Sequence, residues 1–180
     1  MKAVFCGILA ILGAVALAGC GNSGHPQASG VAGGESQGAP VAASPAGNIH
    51  PVDASVLASA KSTEQPCSLD SIDGNYAKQV HVTASKPHVF RGWLLDASRK
   101  PAGKFSLMLE GKQDFAIPAT TGVSRPDVGD YLKDPALDTV GFAFSSVIGS
   151  VPSGEYKLTL LISHGNGAHL CETGKALAVD

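Results

Sequence analysis

Few residues in this chain stand at spacings that could carry chemistry. From residue 63 onward no serine occupies a G-x-S-x-G elbow, and Ser150 and Ser153, set among Gly149–Gly154, read as a polar turn before a strand. The patterns C-x-x-C, H-x-H and H-E-x-x-H are absent, so neither a zinc site nor a metalloprotease helix is foreseen. Asp127, Asp130, Asp134 and Asp138 lack the spacing of a calcium loop and read as the solvated face of a helix and loop. His164 and His169 flank a glycine-rich turn, where a hairpin could bring them together as two ligands of a transition metal; exposed hairpin histidines are the simpler reading. The expectation is therefore no metal, no cofactor and no catalytic residue. Four other residues are of interest. Trp93, the single tryptophan, could stack a sugar ring, but its place beside Gly92 in an apolar run favours a core position between sheets. Arg125 and Asp127 could recognise a carboxylate or phosphate; the competing reading has Arg125 paired with Asp96 or with loop carbonyls, fixing a corner of the fold.

Charge excludes some partners. The chain carries 13 basic and 15 acidic residues and no long block of either sign, which argues against nucleic acid. Its hydrophobic content, 44%, owes much to alanine in the first third. That third begins with Met1 and Lys2, followed by an apolar run from Ala3 to Leu17 broken by two glycines. In length and flanks the run is a secretory h-region, short for a membrane span. It ends in Leu17, Ala18, Gly19, Cys20, which resembles the lipobox of bacterial lipoproteins. The resemblance implies cleavage between Gly19 and Cys20, diacylation of Cys20, and a membrane partner reached through that lipid; acyl chains partition at about 0.8 kcal/mol per buried methylene. The alternative is an ordinary signal peptide with an incidental cysteine. Gly21, where inner-membrane lipoproteins of enteric type carry Asp, points to the outer membrane of a bacterial envelope.

Residues 20–62 are mostly Gly, Ala, Ser, Pro and Gln without helical or strand period, and read as a flexible tether. Within it, Asp53 could cap a turn or two of helix through Lys61, a helix too short to persist without packing. From residue 63 to 180 the pattern changes to short β-type runs separated by Gly, Pro, Asn and Asp, the spacing of an all-β sandwich of about seven strands. Phe105, Leu107 and Leu109 alternate with polar or solvent-tolerant neighbours, as do Tyr156, Leu158, Leu160 and Ile162. Further strands are expected over 78–83, 88–95, 114–119, 141–147 and 175–179, with Leu69 and Ile72 marking an eighth. Hairpin turns fall at Gly111–Lys112 and Gly165–Gly167. One short helix is expected after Arg125, with Pro126 in its first turn, Ser124 and Asp127 as a capping box, and Pro135 as its end.

Of four cysteines, Cys6 lies in the leader and Cys20 takes the lipid, which leaves Cys67 and Cys171 in an oxidising compartment. Pairing between them is expected; two buried thiols or a metal pair are the alternatives. Across the domain, Gly92-Trp93-Leu94-Leu95-Asp96, Arg125-Pro126-Asp127-Val128, Gly141-Phe142, Pro152-Ser153-Gly154-Glu155-Tyr156 and Cys171 follow in order. This series resembles the β-sandwich accessory module with GWxxD and RPDV signatures found in bacterial envelope proteins. The resemblance implies a non-catalytic, immunoglobulin-like antiparallel sandwich. The functional expectation is a lipid-anchored binding or structural accessory with an envelope protein or glycan as partner. An inhibitor or immunity-type lipoprotein, inserting a loop such as His164–His169 into an enzyme cleft, is the first alternative, and an envelope enzyme the second.

Overall fold

Alternation of apolar and polar residues lets one face of each strand be buried and the other face water, and two such sheets hide their apolar faces against each other. The computed structural model describes residues 43–164 and 167–180. The expected leader, Gly19, Cys20 and the expected tether as far as residue 42 lie outside the described residues.

Among the described residues eleven strands form two sheets. The smaller sheet has the order β1 (Ser44–Pro45), β9 (Gly141–Val147), β6 (Pro87–Leu94), β4 (Cys67–Ile72). In the larger sheet β2 (His50–Val52), β8 (Asp114–Thr120), β7 (Lys104–Glu110), β10 (Gly154–His164) and β11 (Gly167–Val179) run side by side. The far edge of β11 is lined by β3 (Lys61–Ser62) and β5 (Gln79–Val82), both parallel to it. Taking β4, β6, β7, β8, β9, β10 and β11 as strands A, B, C, C′, E, F and G gives the sheets A-B-E and C′-C-F-G of an immunoglobulin-like sandwich. All eight strands expected from the sequence are present; β5, the parallel neighbour of β11, departs from the purely antiparallel expectation.

The core lies between the sheets. Phe90, Leu94, Phe142 and Phe144 from the smaller sheet meet Phe105, Leu107, Leu158, Leu160 and Leu177 from the larger. Phe105 packs across the interface on Phe142 at a ring-centroid distance of 4.9 Å, and Phe90 stacks on Phe144 at 5.2 Å. Cys67 and Cys171 form a disulfide across a sequence separation of 104 residues, tying β4, at the edge of the smaller sheet, to β11 of the larger. At the entry to β10 the Tyr156 hydroxyl donates to the Pro152 carbonyl at 2.9 Å, the tyrosine-corner arrangement of this fold.

Three expectations are corrected. The first concerns the tether, expected to run to Ser62: from residue 43 the chain pairs with the sandwich. β1 lies on the edge of β9, β2 on the edge of β8 and β3 on β11. Between β2 and β3, helix α1 (Ala54–Ser59) is begun by Asp53, whose carboxylate accepts from the Ser55 amide. Its survival has a cause in packing: Val52, Leu57 and Ala60 cover Met108, Ala116 and Leu161 on the outer face of the larger sheet. The second concerns helix α2 (Pro126–Leu132). Pro126 does open it, but its N-cap is Arg125, which supplies no side-chain cap, and it ends at Lys133 in the left-handed conformation. Pro135 instead begins a separate 3-10 turn, Pro135–Leu137, capped by Asp134. The third concerns Trp93, which does not sit between the sheets. Phe90 and Leu94 point inward, whereas Trp93 faces outward with Leu95 beneath Val128, Leu132, Leu137 and Val140. α2 and the 3-10 turn thus form a lid over the outer face of β6.

Candidate functional site

The outer face of β4, β6 and β9 forms the floor of a cleft of about 740 Å³, which extends to the edge where β11 passes β4. One wall is the segment 123–125 leading into α2, and the other is made by Tyr76, Lys78 and the stretch Thr173–Lys175.

Arg125 holds the first wall. Its Nε and Nη2 donate to the two oxygens of Asp127 at 2.8 and 2.7 Å, and its Nη1 donates to Asp70 at 2.6 Å. The second Asp70 oxygen accepts from the Ser68 hydroxyl at 2.6 Å. Asp70 stands where the β4–β6 register shifts between Leu69 and Ser71, so the bulge presents its carboxylate to the guanidinium. Hydrogen bonding from Arg125 holds the Asp127 carboxyl below the usual carboxylate range, and the same bonds raise the guanidinium further above its ordinary value. The stem of Arg125 crosses Gly141, where a Cβ would stand 2.5 Å from Arg125 Cγ and 2.6 Å from the Val123 carbonyl oxygen. Asp96, the partner expected for Arg125, lies elsewhere: its carboxylate accepts from the Ser98 and Lys100 amides and closes the turn after β6.

The opposite wall depends on an irregularity in β11. Leu158 pairs with Lys175 and Thr159 with Glu172, so Thr173 and Gly174 are extra residues, with Gly174 at φ +65°. The Thr173 hydroxyl donates to the Leu158 carbonyl at 2.6 Å and pins the bulge. Downstream, Leu177 and Val179 point into the core, and by the two-residue period Lys175 belongs to the same side. Only 9% exposed, it sends its ammonium to the Tyr76 and Ala77 carbonyls at 2.9 and 2.8 Å. Burial pushes its pKa down, partly opposed by the Asp70 charge. Among the described residues no carboxylate lies within ion-pair distance of it. The Tyr76 ring above is 75% exposed.

The signature residues that drew attention in the sequence divide cleanly by role. Gly92 is required by close approach, since a Cβ there would stand 2.1 Å from the Ser68 carbonyl oxygen. Trp93 and Val128 pack in the lid, Asp96 closes a turn, and Gly154 takes φ +155° two residues before the tyrosine corner. Arg125 and Asp127 fix the cleft wall. Lys78, Arg91 and Lys175, the other cations of the cleft, belong to no motif. One signal for them was readable: a lysine at core parity with Leu177 and Val179. The buried His88 has both ring nitrogens engaged, by Asp73 at 2.6 Å and the Thr83 carbonyl at 2.9 Å, and pins the turn after β4 to β6. At the tip of the β10–β11 hairpin, residues 165–166 lie outside the described residues; the register places His164 opposite Gly167 and His169 opposite Ile162. No group of three or more potential metal ligands occurs among the described residues. Comparison with protein-family models, with curated proteins and with solved structures found no match.

Proposed function

We propose that this chain is an envelope lipoprotein, anchored through a lipid on Cys20, whose sandwich acts as a non-catalytic binding module with the cleft as its ligand site. The observation that supports the reading is the cleft itself. It is lined by polar and charged side chains held in place by the Arg125 contacts and the β11 bulge, and functional sites are where such departures from local rules accumulate. The ordered series of GWxxD and RPDV residues supports an accessory module of the envelope type, and the lipobox-like Leu17–Cys20 supports the anchor.

Two experiments test it. Cys20→Ala should release the chain from the membrane fraction; continued membrane association of a leader-cleaved, unlipidated form would overturn the anchor. A photocrosslinking side chain placed at Tyr76 in the native host should give an adduct that the same group at Gln113, exposed on the β7–β8 turn, does not. Adducts at neither position, or equally at both, would remove the cleft from consideration as a binding site.

A further inference from the structure

This inference rests on the cleft being the binding site. We propose that its ligand is an anionic saccharide, whose carboxylate or phosphate is held by Lys175 with Lys78 and whose ring lies against Tyr76.

Lys175 carries the argument. Strand parity calls for an apolar side chain there, yet the position holds a lysine that is 9% exposed as a whole residue. Its two carbonyl partners accept hydrogen bonds but bring no net negative charge, and an ammonium has three donors, one more than they use. A buried cation without a counter-ion is unfavourable, and an anion entering the cleft would relieve that. Asp70 acts on Lys175 only from beyond ion-pair distance and is itself paired with Arg125. Lys78 and Lys175 line the cleft beyond Arg125, whose charge is met by Asp70 and Asp127, in a chain whose formal net charge is −2. Such local charge of one sign within a recess concentrates ligands of the other.

The rest of the lining selects the kind of anion. The exposed Ser124 offers a hydroxyl that both donates and accepts, and Ser68, whose proton goes to Asp70, can still accept, which suits a polyol. One exposed aromatic ring at the rim suits the apolar face of a sugar. A peptide would instead need a regular open sheet edge or apolar pockets for its side chains; the neighbouring edge of β11 is occupied by β5, and β4, the terminal strand of the smaller sheet, is interrupted by the bulge at Asp70.

The test titrates the full-length chain, in detergent and at low salt, with three probes: tetragalacturonate, its methyl ester, and galactose 6-phosphate. A tetra-aspartate peptide controls for charge without sugar. At least one of the two anionic sugars should bind, while the ester binds at least about tenfold more weakly than tetragalacturonate or not at all, as expected for loss of hydrogen bonds to a charged partner. Lys175→Met should weaken binding by about tenfold or more. The exposed Lys78→Gln, which cannot disturb the core, should weaken it about three- to fivefold. The inference is overturned if neither anionic sugar binds, if tetragalacturonate binds and its ester binds as tightly, if tetra-aspartate binds more tightly than the sugars, or if Lys78→Gln leaves affinity unchanged. A Tyr76 adduct in cells together with failed titrations overturns the anionic saccharide and leaves the binding reading standing. Absence of the adduct with positive titrations overturns the cellular reading and leaves the chemistry of the cleft.

Discussion

Arg125→Lys separates a wall-fixing role from a ligand-binding one. The native side chain aims three donors at two carboxylates, and a lysine offers one compact ammonium in their place. Arg125 and Asp70 have side chains 24% and 27% exposed, whereas that of Asp127 is 64% exposed. A hydrogen bond to a charged group in the less exposed setting is worth about 1.5–3 kcal/mol, and an exposed ion pair about 0.2–1 kcal/mol. Since lysine can recover one partner in part, the expected net loss is about 1–2 kcal/mol. For a domain of this size that lowers Tm by roughly 3–8 °C. Denaturant midpoints measured for Arg125→Lys, Asp70→Asn and their double mutant should give a coupling of about 1 kcal/mol. With Asp96→Asn the effects should instead add to within about 0.5 kcal/mol. The effect of pH has a definite sign. Asp127 has its folded pKa depressed, so its contribution is present above the ordinary carboxylate range and is lost as pH falls through the folded value. The stability gap between the native chain and Arg125→Lys should therefore narrow on acidification. Coupling to Asp70 below about 0.3 kcal/mol, or a gap that widens in acid, would refute the assignment of Arg125 to the wall.

Three further outcomes are expected. Cys67→Ser should lower stability by about 2–5 kcal/mol, because the bridge closes most of the domain into one loop; two titratable thiols in natively purified protein would contradict this. Tyr156→Phe keeps the ring over Gly111 but loses the bond to Pro152, and should cost about 0.5–1.5 kcal/mol in thermal or chemical denaturation, with an unchanged midpoint counting against the corner. Removal of residues 43–62 uncovers Met108, Ala116 and Leu161 and should lower Tm by more than about 3 °C and raise binding of an apolar dye; a Tm within a degree of the full chain would return that segment to the tether.

The strands of the sandwich were legible because each buries one face and is long enough, at four to thirteen residues, to display a period of two. β1, β2 and β3 span two or three residues, too few to show any period, and they exist because β9, β8 and β11 offer unpaired edges. α1 shows the same dependence. Its Asp53 cap was readable, but the apolar surface that retains it, around Met108 and Leu161, comes from strands distant in sequence. The partner of Arg125 was missed for another reason: Asp70 reaches it only through a register shift in β4, and a bulge alters which side a residue faces without changing the local composition. Trp93 was assigned to the wrong face although the period was correct, because the apolar run from Trp93 to Leu95 serves two cores on opposite sides of one strand.

The residues with the most recognisable spacing and the residues with the most chemical potential are different sets, and the fold explains why. Gly92, Trp93, Arg125, Asp127, Gly141 and Tyr156 meet constraints of close approach, lid packing and turn geometry, which admit few substitutions. Lys78 and Tyr76 meet the requirement of lining an open cleft, which many side chains could satisfy. A chain with the same frame and neutral residues at those positions would keep the sandwich and lose the positive cleft. Lys175 lies between the two classes: its stem occupies a core-side position and its ammonium ties down the Tyr76 and Ala77 carbonyls. Exchanging it therefore tests frame and site together. Exchanging Lys78 tests the site alone, and for that reason the weaker effect expected at Lys78 is the more discriminating measurement.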